Sequence, residues 1–133
     1  MECNHKRKHL KVGQYGGDVD LANIDLMREL WIAELLTIDD CESDPDSGMI
    51  SIAFANSHGA EDFLSIVKLG EDKDANCNLA ERATSFESEC DDIWKVNLVS
   101  FSLTGDDIRI GVRVLIPESD YDEVLRRVKE YNK

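Results

Sequence analysis

Large apolar residues at Ile50, Ile52 and Phe54 alternate with Ser51, Ala53 and Ala55, a period of two that predicts a strand with one strongly apolar face. Directly after it Ala60, Phe63, Leu64 and Val67 recur at helical spacing. Ser57 is placed to cap this helix, and Glu61 and Asp62 fall in its first turn, where the helix dipole favours negative charge. The stretch from Met49 to Val67 thus reads strand, cap and amphipathic helix, and its neighbours vary the same grammar. Upstream, a helix is predicted from Asp18, because Ile24, Met27, Trp31 and Leu35 recur at three- and four-residue steps with Leu30 beside them. Leu26, Ile32 and Leu36 widen that stripe, so the helix is either covered on more than one side or meets a partner with its outer part. A short strand over Leu36 to Ile38 and a turn from Asp39 to Gly48 lead back to Met49.

Downstream, the polar run from Gly70 to Asn78 is a loop, and Asn78 with Glu81 forms a capping pair for a helix from Leu79 to Glu89. Trp94, Val96 and Leu98 then alternate with polar residues, as do Val99, Phe101 and Leu103, but the apolar parity changes between Leu98 and Val99. A regular strand cannot switch faces, so a bulge is predicted there. Thr104 to Asp107 make a turn, and Ile108, Ile110, Val112, Val114 and Ile116 return as the longest strand pattern, with Arg109 and Arg113 on its other face. Pro117 stops it, and Tyr121, Val124, Leu125 and Val128 give a final helix its buried stripe. The segments Ile50 to Val67 and Val112 to Val128 share one pattern, an internal repeat of β-β-α units. The predicted fold is α+β, a two-layer sandwich in which a mostly antiparallel sheet of four or five strands carries its helices on one face. Val112 is then expected to be buried and Arg113 more exposed.

Length changes this picture little: 133 residues suit one domain, assigned to residues 18 to 133, after a basic segment 1 to 17 expected to be mobile apart from a short strand near Leu10 and Val12. No segment approaches the ~20 apolar residues that span a bilayer, so no membrane partner and a cytoplasmic location are expected. Cys3, Cys41, Cys77 and Cys90 are scattered without a CxxC pair and read as reduced thiols. Charge is more informative. The formal charge is −13; the first twelve residues carry four basic groups and one acid, which leaves 15 − 4 = 11 basic against 28 − 1 = 27 acidic groups, or −16, for the rest. Such a surface repels nucleic acid and suits a basic protein partner.

Five acids lie within eight residues at Asp39, Asp40, Glu42, Asp44 and Asp46, around Cys41. A calcium frame would need Gly at its sixth position and Glu at its twelfth, and no register supplies both, while Cys3, His5 and His9 lack a fourth zinc ligand. No metal and no cofactor are assigned. The candidate site is therefore a binding surface of Asp39, Asp40, Cys41, Glu42 and Asp44 together with the exposed flank of the first helix. It makes the chain a protein-binding or inhibitor/immunity-type module, with room for a homodimer. The alternatives are a small-ligand-binding protein or an enzyme with a site near Cys41, although the neighbouring acids would raise that thiol's pKa, and His58 is the one histidine inside the predicted fold.

Leu30-Trp31, Leu36-Thr37, Asp40-Cys41-Glu42, Phe54 and the block Ala60 to Leu64 resemble, over residues 18 to 67, small uncharacterised bacterial proteins. In those a helix leads to a Thr-x-x-Ser-Cys-Glu turn, an aromatic-ended strand and a Phe-Leu helix. The resemblance implies a fold and no function. The turn is also similar to the Ser-Cys turn of the tRNA wybutosine-synthesis methyltransferase family. This chain departs from it with Asp40 before the cysteine and Ser43 where that family has glycine, and its acidic charge fits tRNA poorly.

Overall fold

The computed structural model describes residues 6–41, 48–69, 77–84, 90–102 and 104–133. Its strands are β1 (Arg7–Val12), β2 (Tyr15–Asp20), β3 (Thr37–Cys41), β4 (Ile50–Phe54), β5 (Lys95–Phe101) and β6 (Arg109–Ile116). Its helices are α1 (Ile24–Ile32), α2 (Ser57–Lys68), α3 (Leu79–Thr84) and α4 (Tyr121–Tyr131). The fold is α+β: β1 and β2 form a hairpin, and an antiparallel sheet runs β3-β4-β6-β5.

The period-two patterns determine which side of the four-stranded sheet is covered. Ile50, Ile52 and Phe54 pair with Ile116, Val114 and Val112, so six apolar side chains share one face, and all six are buried. Phe63 and Val67 of α2 and Val124 and Val128 of α4 are buried with them in one core. Phe63 lies between Phe54 and Trp94, with ring centroids 5.2 and 6.1 Å away. Burying each large side chain of this kind contributes roughly 1.5–3 kcal/mol. Arg127, itself buried, donates from a guanidinium nitrogen to the Val67 carbonyl at 2.6 Å, satisfying a free carbonyl at the end of α2. Val112 is buried and Arg113 more exposed, as expected. The order β-β-α occurs twice, as β3-β4-α2 and β5-β6-α4, with β4 and β6 paired at the centre.

Several elements differ from the sequence reading. Residues 1 to 17 are set apart there as a basic segment, and a helix is started at Asp18; instead residues 7–20 form a hairpin packed on α1, which begins only at Ile24. The short strand expected near Leu10 and Val12 is β1, whereas its partner β2, with Gly16, Gly17 and Asp18, has no strand pattern of its own. Leu10, Val12, Tyr15 and Val19 lie on one side of the hairpin, while Arg7 stands opposite Asp20 and His9 opposite Asp18 on the other. Gly13 takes the left-handed conformation, φ 59°, that the tight turn needs. The hairpin covers one side of α1 and α4 another, which accounts for the width of its apolar stripe: Leu26, Met27, Leu30 and Trp31 are all buried. Ile32 and Leu36 remain exposed.

The cap of α2 is Asn56 rather than Ser57, its side-chain oxygen accepting from the Gly59 amide at 2.8 Å. α3 ends at Thr84, and the predicted continuation over 85–89 lies outside the described residues. β5 shows no bulge: it pairs with β6 in unbroken register from Lys95↔Leu115 to Phe101↔Arg109. The parity change is resolved by exposure instead, with Val96 and Leu98 on the core side and Val99 and Phe101 on the other. The irregularity falls on β3, between Thr37 and Asp39.

Candidate functional site

Alternation along β3 separates the predicted acidic site. Asp39 stands opposite Ala53, and Cys41 opposite Ser51, on the sheet face away from the helices, whereas Asp40 stands opposite Ile52 and points to the other side. Glu42 and Asp44 lie outside the described residues. Asp39 is largely exposed, but Asp40 has only 2% of its surface accessible. Its carboxylate accepts from the Asp20 amide at 3.0 Å, from Asn23 Nδ2 at 2.9 Å and from Arg7 at 2.8 Å. Arg7 also donates to the Asp40 carbonyl at 3.3 Å and the Asp18 carbonyl at 2.7 Å, and lies 3.4 Å from the Asp20 carboxylate. The assignment of Asp40 to a partner-facing surface is thus corrected. The cation that relieves the local repulsion comes from the chain's own basic start, and the cluster ties β1, β2 and the approach to α1 onto β3.

Burial raises the Asp40 carboxyl above its usual range, while Asn23, the Asp20 amide and Arg7 pull it down. Because the folded-state pKa is raised, Asp40's contribution to stability is fully present below its unfolded value and is lost as pH rises through the folded one. Removing the cation deepens that loss. Arg7→Gln is expected to cost about 2 kcal/mol at pH 7, discounted from the ~3–5 kcal/mol of a fully buried pair because Arg7 is partly exposed. Urea melts should show the deficit shrinking by pH 4, and a deficit of equal size at both pH values would contradict the network.

The cysteines also depart from expectation. Cys77 and Cys90 form a disulfide with Cα atoms 5.5 Å apart, Cys41 is disulfide-bonded, and no free cysteine remains among the described residues. The reduced-thiol reading is therefore replaced, since a spacing of 13 without a CxxC pattern gave it no reason to pair these residues. Cys41 offers no thiolate, and His58 lies beside Asp62 at 3.5 Å on the exposed side of α2. Among the described residues Cys77, Glu81 and Cys90 bring ligand atoms within 4.8 Å, but the two sulfurs are bonded to each other, which removes the thiolates a metal would take.

Two surface features are new relative to the predicted site. The first is a groove of about 500 Å³ on the helix-free face of the sheet. Cross-strand pairing lays Asp39, Ala53, Arg113 and Asn97 in one row across the four strands, with alanine the small floor between two charged residues. Ile38, Val99 and Phe101 add apolar walls, and Ser100 and Ser102 also line the space.

The second is the outer edge. β5 is the end strand of the sheet, and among the described residues no strand pairs with its outer side. Val96 and Leu98 stand opposite Val114 and Val112, and Ser100 opposite Ile110, so Val96, Leu98 and Ile110 continue the core face past the helices. They remain in solvent, with exposures of 37% for Val96, 75% for Leu98 and 57% for Ile110, and Ile108 just before β6 reaches 85%. Residues 93–105 contain no acid in a chain of 28, while Asp91 and Asp92 precede this stretch and Asp106 and Asp107 follow it. The parity change at Leu98 and Val99, which predicts a bulge, is instead the signal that this strand is apolar on both sides. The chain matches no family model, no curated protein and no solved structure.

Proposed function

We propose that the protein is a binding module for a basic polypeptide partner, which adds an extended segment along β5. The observation that carries this reading is the unpaired β5 edge with Val96, Leu98 and Ile110 in solvent beside it. Strand addition uses both features: the free backbone groups of the edge supply hydrogen bonds, and alternate side chains of the incoming segment find apolar contacts. Charge selects the partner. Exposed Asp91, Asp92 and Asp106 flank an acid-free centre, and the net charge of −13 attracts a basic chain over longer range. The fitting segment has an apolar alternating middle and lysine or arginine at both ends. An inhibitor or immunity-type role is one form of this reading. Asp39, on the opposite end strand β3, and the exposed Ile32 and Leu36 supply a second acidic and apolar region, but there the Arg7 cluster ties β1 and β2 onto β3.

No described helix is long and apolar enough to cross a membrane. The cytoplasmic placement rests on the lack of a spanning segment alone, and the disulfides shift our proposal toward an oxidising compartment.

A synthetic peptide with a Val-Thr-Val-Thr-Val centre and two lysines at each end tests the reading by titration against labelled protein. Binding should weaken about tenfold or more in Leu98→Lys, and similarly on raising salt from about 0.05 to 0.5 M. Equal binding by Leu98→Lys, or by a peptide with glutamates at its ends, would overturn the assignment. So would light scattering that shows a dimer of the protein alone, dissociated by Leu98→Lys, because β5 would then be occupied by a second copy.

A further inference from the structure

Arg113 differs from every other arginine in the chain. Arg7, Arg28, Arg82, Arg109, Arg126 and Arg127 each lie within ion-pair distance of a carboxylate of this protein, and Arg113 has no such partner among the described residues. In a chain with a net charge of −13, an arginine that meets no carboxylate among the described residues needs a cause. The sheet supplies the geometry. Its cross-strand neighbours are Ala53 and Asn97, neither of which can neutralise it, and its Nε is buried with no hydrogen-bond acceptor among the described residues. A guanidinium presents paired N–H groups that match a carboxylate in a planar, bidentate fork, so a buried Nε–H without an acceptor marks a place that an anion completes.

The groove around it indicates what else that anion carries. Its volume of about 500 Å³ is in the range of small-molecule sites, and Ala53, Val99 and Phe101 give it an apolar floor and wall beside the charge. Asp39 stands in the same row on the far side of Ala53. Adjacent strands are roughly 4.8 Å apart, so its backbone is about 10 Å from that of Arg113. A second negative charge on a ligand would meet Asp39, which limits the ligand to one. We propose that this groove binds a small organic monocarboxylate with an aromatic or branched apolar body, the carboxylate on Arg113 and the body against Val99 and Phe101. This site is separate from the strand-addition edge and does not rest on it.

Phenylacetate is a suitable probe, with phenylacetamide as its neutral isostere. In a nitrogen-15 NMR titration phenylacetate should shift the Arg113 Nε–H signal and the Ala53 and Phe101 amides, and the amide should bind at least tenfold more weakly. Arg113→Gln keeps much of the side chain and should lose the same factor with an unchanged melting temperature, whereas Asp39→Asn should bind equally or better and should also take phenylmalonate. Equal binding of acid and amide, or an Arg113→Gln variant that binds as wild type, overturns the proposal. A glutamate-containing tetrapeptide amide that binds more tightly than phenylacetate would place the carboxylate in a polypeptide and overturn the small-molecule assignment.

Discussion

Asp120→Ala is expected to cost about 3 kcal/mol and to lower the melting temperature by about 10 °C. Asp120 stands just before α4 with only 7% of its surface accessible, and one carboxylate oxygen serves two donors. That oxygen accepts from Trp94 Nε1 at 3.0 Å and from an Arg82 nitrogen, while the other accepts from Arg82 at 3.0 Å. Trp94 is 1% exposed, so its indole N–H cannot turn to water when the acceptor goes. Arg82 belongs to α3, so the same residue joins α3, the start of β5 and α4. The effect is therefore a lost buried acceptor and a stranded cation together, whose separate costs of roughly 1–3 kcal/mol overlap in part. Asp120→Asn keeps an oxygen for Trp94 and should lose about half as much. Chemical denaturation measures both, and a loss below ~1 kcal/mol for Asp120→Ala would contradict the network.

Gly111→Ala is expected to cost a similar amount, about 3 kcal/mol, for a reason unrelated to backbone freedom. A Cβ there would sit 2.5 Å from the Phe54 carbonyl oxygen, and 3.3 Å from both Val99 Cγ2 and Phe101 Cε1. The two side chains can turn, but the carbonyl belongs to the end of β4, so the strands must move apart where Phe54 pairs with Val112. Gly105→Ala is the control. Its φ of 88° is strained for alanine, but nothing lies within 4 Å, and it should cost only about 1 kcal/mol. Finding Gly105→Ala the more damaging of the two would show that β4 and β6 do not approach as described.

Local pattern made much of the sheet and two of its helices legible. Ile50, Ile52 and Phe54, and Val112, Val114 and Ile116, reach the core because alternation places them there. What the pattern missed depended on partners distant in the chain. Arg7 reads as part of a basic run until it meets Asp40, 33 residues away, and although Leu10 and Val12 suggest a short strand, its partner β2 carries Gly16, Gly17 and Asp18 and shows no strand pattern of its own. Asp40 reads as one acid of five because burial cannot be inferred from a charged neighbourhood. Arg113 was visible as an outward-facing strand residue, but that no carboxylate among the described residues reaches it is a fact about three adjacent strands. Leu98 carried the clearest signal of the outer edge, and its meaning depended on how far the helices extend over the sheet.

The central claim is that β5 is the strand a partner extends. Hydrogen exchange of the β5 amides, with and without the lysine-ended peptide, tests it most directly. The account predicts that alternate amides between Val96 and Phe101 slow on binding, because only those facing the free edge gain an acceptor, while the β4 amides already paired on both sides do not change. Protection that appears around Asp39 and α1 with β5 unchanged would contradict it.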